Sequence, residues 1–231
     1  MPAQSKSANS SRPKAVLCDM DGTLLDSNAL HAKAWQKTFE HFGISTSFDE
    51  VIHQIGKGGD HLIPVFVPEA DRERLSKPLQ EYRKRLFRSE YLPLVKPFPK
   101  ARDLLLKMKA AGIRIAIASS SNKEDLKKFE EIASITDLVD EETSADDAER
   151  SKPAPDIFQA TLDRLGLPAD QVLALGDTPW DVQAAAKAQV RTVAVTSGGW
   201  SEQDLLQAGA IEVYKDVAEL ADKFEESAFS G

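Results

Sequence analysis

Residues 15–23 read AVLCDMDGT. The first part, Ala15 to Asp19, is a short apolar run that ends in a carboxylate, entered after Pro13 and left at Gly22. A run of that length between breakers reads as a buried strand. Working outward, the next strand is Ile113 to Ala118, IRIAIA, behind a Gly112 that ends the helix before it. Asp137–Val139, Val172–Leu175, Thr192–Val195 and Glu212–Tyr214 complete the strand set. Helical stripes separate them. One is Ala101, Leu104, Leu105 and Met108. Another is Leu126, Phe129 and Ile132, opened by Asn122 with Asp125 three residues on. A third is Ile157, Phe158, Thr161, Leu162 and Leu165, closed by Gly166, and Ser201 with Asp204 caps a fourth helix. Strands alternating with helices imply βαβ units and a parallel sheet covered on both faces.

One stretch breaks that rhythm. From Asp26 to Leu94 there are helical patterns and no convincing strand. Leu30, Ala34, Trp35, Phe39 and Phe42 fit one helix; Leu75, Leu79, Tyr82, Leu86 and Phe87 fit another, despite Pro78 inside it. Residues 26–94 therefore read as a helical domain carried on two linkers, near Asp26 and near Pro93 to Pro99, with an α/β core formed by 14–25 and 95–231. Residues 1–13, MPAQSKSANSSRP, contain no apolar segment of the kind a secretory signal needs and read as a disordered leader.

Charge divides along the same boundary. The 231 residues carry 29 Lys plus Arg and 37 Asp plus Glu, a formal net charge of −8. The insert holds 10 acids and 10 bases, so the remainder holds 27 acids and 19 bases and carries the whole excess. Such a chain is a poor nucleic-acid binder, because phosphate contacts need clustered Lys and Arg. No apolar run approaches the ~18 residues of a membrane span. A single cysteine, Cys18, excludes a disulfide framework and a cysteine-based zinc site; it should pack as a small apolar residue on the side of its strand opposite Asp19. With a lone thiol and no export signal, the default location is the cytoplasm and the default state a monomer.

Four signatures fall at the C-terminal ends of expected strands, the edge where open α/β sheets bind ligands. They are Asp19-Met20-Asp21-Gly22-Thr23, Ser119-Ser120-Ser121-Asn122, Lys152 in SKPAPD, and Gly176-Asp177-Thr178-Pro179-Trp180-Asp181. Each alone has a bland reading: a surface turn, a polar loop with a helix cap, a solvated lysine before a proline-started helix, a helix-entry turn. Taken together they converge. Two unit charges about 4 Å apart repel by about 4 kcal/mol at an effective dielectric near 20. Asp19, Asp21, Asp177 and Asp181 at one edge therefore require a cation, and a hard, oxygen-liganded ion such as Mg²⁺ fits. Lys152 and the Ser119 hydroxyl supply the positive charge and hydrogen bonds that a phosphoryl group needs. A carboxylate can itself attack phosphorus and split one difficult step into two.

The order DMDGT, strand-terminal Ser, KPAPD, GDTPWD resembles the haloacid dehalogenase superfamily, over essentially the whole chain beyond residue 14. The helical insert is similar to that family's C1-type cap, and DSNALHAKAWQKTFEHFG, residues 26–43, resembles the branch of phosphoglycolate phosphatases and β-phosphoglucomutases. The resemblance implies a Rossmann-like parallel-sheet core with an all-helical cap. It implies Asp19 as nucleophile, Asp21 as general acid/base with its main-chain carbonyl on Mg²⁺, and Ser119 on the phosphoryl group. Lys152 neutralises nucleophile and phosphate, Asp177 binds the metal directly, and Asp181 binds it through water. Asp21 favours phosphate chemistry over carbon–halogen cleavage, since the family's dehalogenases lack that carboxylate. The Asp-x-x-x-Asp spacing of the last motif favours a hydrolase over a mutase, whose motif typically carries adjacent Glu-Asp. The expected activity is hydrolysis of a small phosphorylated metabolite, with a phosphosugar mutase as the alternative. A non-enzymatic phospho-receiver is disfavoured, because receivers are about half this length and place their acidic pair elsewhere.

Substrate contacts are expected from Ser120, Ser121, His31 and Lys57. His31 sits ten residues past Asp21, near the first linker, where it can steady Asp21 or serve as an interface histidine. Lys57 lies in IGKGGD, a Gly-rich cap turn that lacks the context of a P-loop. Arg72 to Arg88 carries seven bases and two acids, either a solvated face or a stretch that steers anions. Asp137 to Glu149 carries seven acids and no base and reads as an exposed loop.

Overall fold

The computed structural model describes residues 12–231. Its centre is a six-stranded parallel sheet. The strands are β1 (Ala15–Cys18), β4 (Arg114–Ala118), β5 (Glu141–Thr143), β6 (Val172–Gly176), β7 (Arg191–Val195) and β8 (Glu212–Tyr214). Their order is β5-β4-β1-β6-β7-β8. Beside β1 the chain turns outward in both directions, and this reversal opens a crevice at the strands' C-terminal ends. β1 pairs with β4 on one side and β6 on the other, Cys18 opposite Ile117 and Leu175.

Alternation along the strands sorts large from small. Val16, Cys18, Ile115, Ile117, Leu173, Leu175, Val193 and Val195 share one core. Helices α5 (Ala101–Ala110), α6 (Lys123–Ala133) and α10 (Val217–Asp222) cover it. The opposite face is built from Leu17, Ala116, Ala118 and Ala174, and the small residues let α7 (Asp156–Leu165) and α8 (Pro179–Lys187) approach closely. A smaller cluster seats α9 (Glu202–Ala208) beside α8 through Val182, Ala194 and Leu205. Cys18 is wholly buried in the first core, and burial pushes its thiol pKa up.

The insert is helical throughout: α1 (Asn28–His41), α2 (Phe48–Ile52), α3 (Gly59–Phe66) and α4 (Glu69–Leu86), continued by a wide π-helical turn over Phe87–Tyr91. Two of these helices, α2 and α3, go beyond the pair the sequence suggests, because they are short and α3 is entered at Gly58 and contains Pro64. The apolar stripe of α1 also divides. Trp35 and Phe39 join Val51, Leu62, Ile63 and Leu79 in the insert's own core, while Leu30 and Ala34 turn to the sheet-side core with Phe87 and Tyr91. The two crossings lie side by side as an antiparallel ribbon, β2 (Leu25–Asp26) on β3 (Lys96–Pro97).

Three expectations change. The strand placed at Asp137–Val139 is a turn, and the edge strand β5 begins at Glu141. Ile135 and Leu138 are the core contacts of that turn, and the Asp140 carboxylate accepts from the Ile115 amide at 2.8 Å before the ladder resumes. The acidic stretch 137–149 is accordingly not simply an exposed loop: it holds β5, and Asp137, Asp140 and Asp147 pair with Arg102, Lys109 and Arg164. The leader expected over residues 1–13 lies outside the described residues except for Arg12 and Pro13, which the fold holds. Arg12 Nε donates to the Ser230 carbonyl at 3.1 Å, and Pro13 is buried.

Candidate active site

Three of the four motifs follow strand ends directly, whereas Lys152 lies in the loop between β5 and α7, nine residues past Thr143. Asp19 comes directly after β1, and its amide still donates to the Leu175 carbonyl at 2.8 Å. Past it the chain reverses: Gly22 takes φ +81°, and Leu24 and Leu25 both donate to the Met20 carbonyl. That reversal swings Asp21 back over the same edge, with Met20 buried between the carboxylates. A β-carbon at Gly22 would lie 2.3 Å from Asp177 Oδ2, so only glycine fits. Ser119 follows β4, and Asp177 follows β6. Thr178 and Asp181 cap α8 reciprocally: the Thr178 side chain accepts from the Asp181 amide, and Asp181 Oδ2 accepts from the Thr178 amide at 3.0 Å and hydroxyl at 2.6 Å.

The interior of the site is a buried charge cluster. Lys152 Nζ lies 2.5 Å from Asp19 Oδ1 and 2.8 Å from Asp181 Oδ1, and is fully buried. Burial opposes the Lys152 charge, but Asp181 and Asp19 outweigh it, so its pKa rises. Asp19 is pushed up to about 7, by burial first and then by Asp181 and Asp21, against the pull of Lys152. Asp177 is raised well above the carboxylate range by burial and by Asp181 and Asp19. Thr23 donates to Asp177 Oδ1 at 2.9 Å and Asn28 to Oδ2 at 2.8 Å, which fixes its orientation.

The donor set fits a hard divalent cation. One oxygen each of Asp19, Asp177 and Asp181 lies within 4.8 Å of the others, and all three residues are buried. Three carboxylates face one ammonium, so the cluster is short of positive charge. Asn28 Oδ1, beside Asp177, is buried without a hydrogen-bond partner among the described residues. All-oxygen donors of this kind suit Mg²⁺ rather than a soft metal. Asp181 Oδ2 is taken by Thr178 and its Oδ1 faces the Lys152 ammonium at 2.8 Å, which suits an outer position. The Asp21 carboxylate points elsewhere and is not among these three.

Asp21 is held by the cap. Ser27 donates to its Oδ1 at 2.6 Å, His31 Nε2 lies 2.8 Å from the same oxygen, and Ser121 donates to Oδ2 at 3.2 Å. Burial raises its pKa, but His31, Ser27 and Arg83 outweigh that and leave it at about 2. His31 stacks on Phe87 at 4.1 Å between ring centres, and its Nδ1 meets the guanidinium of Arg83. An Nδ1 that accepts from Arg83 makes Nε2 the protonated nitrogen, so His31 is a neutral donor to Asp21. Its pKa is lowered, by burial first and by Arg83.

The remaining expected residues are distributed around a cleft of about 930 Å³ between insert and core. Ser120 donates to the Gly56 carbonyl at 3.4 Å, across that boundary. Ser119 lies one layer deeper and is buried, its oxygen accepting from the Ser121 amide at 3.1 Å. Lys57 stands at the mouth: its ammonium is 3.9 Å from the centre of the Trp180 ring and donates to Gln54 Oε1 at 2.6 Å. It does not touch the carboxylate cluster. Sequence reasoning missed Thr23 and Asn28, which grip Asp177; Arg83, which grips His31; and Asp60, which grips Ser151. Asp60 Oδ2 accepts from the Ser151 amide at 3.0 Å, its Oδ1 accepts from the Ser151 hydroxyl, and the Gly58 amide donates to Ser151 Oγ at 2.9 Å. Only long-range contact defines these roles, and no spacing in the sequence carries it.

This fold and motif order define a class. The family model of the haloacid dehalogenase-like hydrolases matches residues 16–195, and the chain belongs to that family. It is therefore an enzyme of the hydrolase type. Its sequence is 30% identical over 223 residues to the phosphoglycolate phosphatase of Rhodospirillum rubrum, covering 91% of this chain and 90% of that protein. It is 26% identical over 193 residues to the pyrophosphatase PpaX of Oceanobacillus iheyensis, covering 83% and 86%. The crystal structure of a hydrolase from Pseudomonas syringae superposes with a TM-score of 0.81 at 26% identity, over 92% of this chain and 98% of that one.

Proposed function

We propose that the protein is a Mg²⁺-dependent phosphatase of small phosphate monoesters that works through a phospho-Asp19 intermediate. One observation carries this reading: Asp19, with one oxygen on buried Lys152, stands at the strand edge beside two further buried carboxylates and below an open cleft. Mg²⁺ held by Asp19, the Asp21 main-chain carbonyl and Asp177, with Asp181 behind, would supply positive charge to the phosphoryl oxygens. The residues do the rest. Lys152 favours the ionised form of Asp19 against burial and neutralises the incoming phosphate. Ser119 has no acceptor for its hydroxyl hydrogen among the described residues, which leaves that hydrogen for a phosphoryl oxygen. Asp21 Oδ2, with only the 3.2 Å Ser121 contact, is the oxygen that exchanges a proton with the reactants. A bound phosphate raises the Asp21 pKa by like-charge repulsion, so the carboxyl can carry a proton to the leaving oxygen. The same oxygen takes a proton back from the water that opens the acyl-phosphate. The insert covers the cleft and excludes bulk water.

The test is phosphate release from a panel of phosphorylated metabolites with Mg²⁺. Asp19→Asn should lower turnover by about 10⁴-fold or more while still folding. Wild-type-like turnover in that variant refutes the assignment. A sugar 1-phosphate converted to a 6-phosphate, with no free phosphate, would establish a mutase instead.

A further inference from the structure

Helix α4 lines the cleft, and Arg83 is set apart from the other cations of that helix by its place among aromatic rings. Arg83 is partly buried between two rings, its guanidinium carbon 5.0 Å from the centre of Phe87 and 5.6 Å from that of Trp35. One terminal nitrogen meets His31 Nδ1, and its Nε is buried without a partner among the described residues. Among the described residues no carboxylate forms an ion pair with it. Asp21 stands on the far side of His31, and Asp125 is already held by Arg88 through Nε at 2.7 Å. His31 cannot compensate, because it accepts through Nδ1 and is neutral.

Neighbours on the same helix are treated differently. Arg74 pairs with Asp71, Lys84 with Glu124, and Arg72 donates to the carbonyls of Val67 and Pro64. Lys77 and Arg85 also form no ion pair among the described residues, but both are exposed to water. Across the cleft Lys57, on the insert's Gly-rich turn, likewise has no carboxylate partner among the described residues. A cation withdrawn from water without a counter-ion is costly. Its planar fork is also built to take a carboxylate or phosphate in two contacts. Aromatic walls and His31 hold that fork in one orientation, so little freedom remains to be lost on binding.

We propose that Arg83 receives a second anionic group of the substrate, so that the preferred ester carries a carboxylate or another phosphoryl group close to the phosphate that Asp19 attacks. The proposal rests on the phosphatase reading. The reach is consistent: Arg83 lies one imidazole and two hydrogen bonds from Asp21, roughly 7–8 Å, about the length of a two-carbon phosphorylated acid or a diphosphate. A neutral sugar would leave the guanidinium uncompensated. Arg83 then has two contacts, His31 on one edge and the substrate anion on the other. A substrate lacking that anion loses the second.

The experiment compares kcat/KM for four substrates, three phosphate esters and one phosphoanhydride, under one Mg²⁺ condition. Two have anionic tails, 2-phosphoglycolate and inorganic pyrophosphate; two have neutral tails, glycerol 3-phosphate and glucose 6-phosphate. Wild type should prefer at least one anionic tail by roughly tenfold or more, and the better of the two distinguishes carboxylate from phosphate. Arg83→Met should reduce that preference by roughly ten- to a hundredfold, mainly through KM, beyond any loss common to all four substrates. Arg83→Lys, which keeps the charge without the fork, should recover part of it. A uniform loss on all four substrates would overturn the proposal and reduce Arg83 to a support for His31. A wild-type chain that hydrolyses neutral-tailed esters without preferring anionic substrates overturns it before any variant is made, and leaves the phosphatase reading intact. No phosphate from any substrate overturns both. If Arg83→Met melts far below wild type, the wild-type selectivity and Arg83→Lys decide.

Discussion

Asp19 and Asp21 stand two residues apart on one turn, yet their carboxyls are driven in opposite directions. Asp19 accepts one strong hydrogen bond among buried acids and is raised to about 7; Asp21 accepts from Ser27, His31 and Ser121 and is held at about 2. Environment rather than residue type separates the roles. Glu130 on α6 is a case with no functional compensation. It is 4% exposed, its Oε1 lacks a partner among the described residues, and burial followed by Glu142 raises its pKa from 4.5 to about 7. Below pH 4.5 both folded and unfolded states hold the proton, and the group is neutral to stability. Between 4.5 and 7 only the unfolded state ionises, so stability is progressively lost, and above 7 the loss is complete. Glu130→Gln should therefore stabilise the protein at pH 8 by about 1–3 kcal/mol, a Tm gain of several degrees, and leave it unchanged at pH 4.5. Thermal melts at the two pH values decide; equal shifts at both would contradict the burial argument.

At the scale of elements, the turn between α2 and α3 joins insert to core. Asp60, at the start of α3, accepts from both the amide and the hydroxyl of Ser151, the residue before Lys152. Gly58 donates to the same hydroxyl, and a β-carbon there would lie 2.3 Å from it. Lys57 on Trp180 and Ser120 on Gly56 add to the seam. Asp60→Ala removes two of these contacts. It should lower kcat/KM by roughly tenfold and speed proteolytic cleavage within 53–60, with a melting temperature within a few degrees of wild type. Unchanged kinetics and cleavage would mean that the seam is dispensable. Such contacts cross about 90 residues of sequence and leave no periodic trace. Capping does leave one: Asn122 with Asp125, and Ser201 with Asp204, are helix starts that the sequence states outright, and the structure forms both caps. β5 left none, because Glu141 and Glu142 on a short edge strand form no apolar run.

For the whole molecule, the net charge of −8 is concentrated where it is used. The core carries the excess, and part of it lies in the buried cluster of Asp19, Asp177 and Asp181, against which Lys152 is the paired cation. A cation bound there relieves repulsion only in the folded state. Mg²⁺ at about a hundred times its dissociation constant should thus add about 2.7 kcal/mol, a rise in Tm of roughly 5–10 °C for a chain of this size. Asp177→Asn should cut most of that rise, and chelation should abolish phosphate release. A melting curve indifferent to Mg²⁺ would speak against the metal site.

The sequence by itself determined the elements that local chemistry controls. Short apolar runs between breakers mark the strands, capping pairs mark helix starts, and a long helical interruption marks the insert. It also determined that the first, second and fourth motifs meet, because in a parallel sheet every strand delivers its C-terminal residue to the same edge, whereas Lys152 is brought there by the loop after β5. The tertiary structure alone decided what each charge faces. Whether Asp21 is gripped by His31, whether Arg83 finds a carboxylate, and whether Asp60 reaches Ser151 depend on how the insert sits against the core. That packing is the sum of many weak contacts between residues far apart in the chain, which no local spacing encodes.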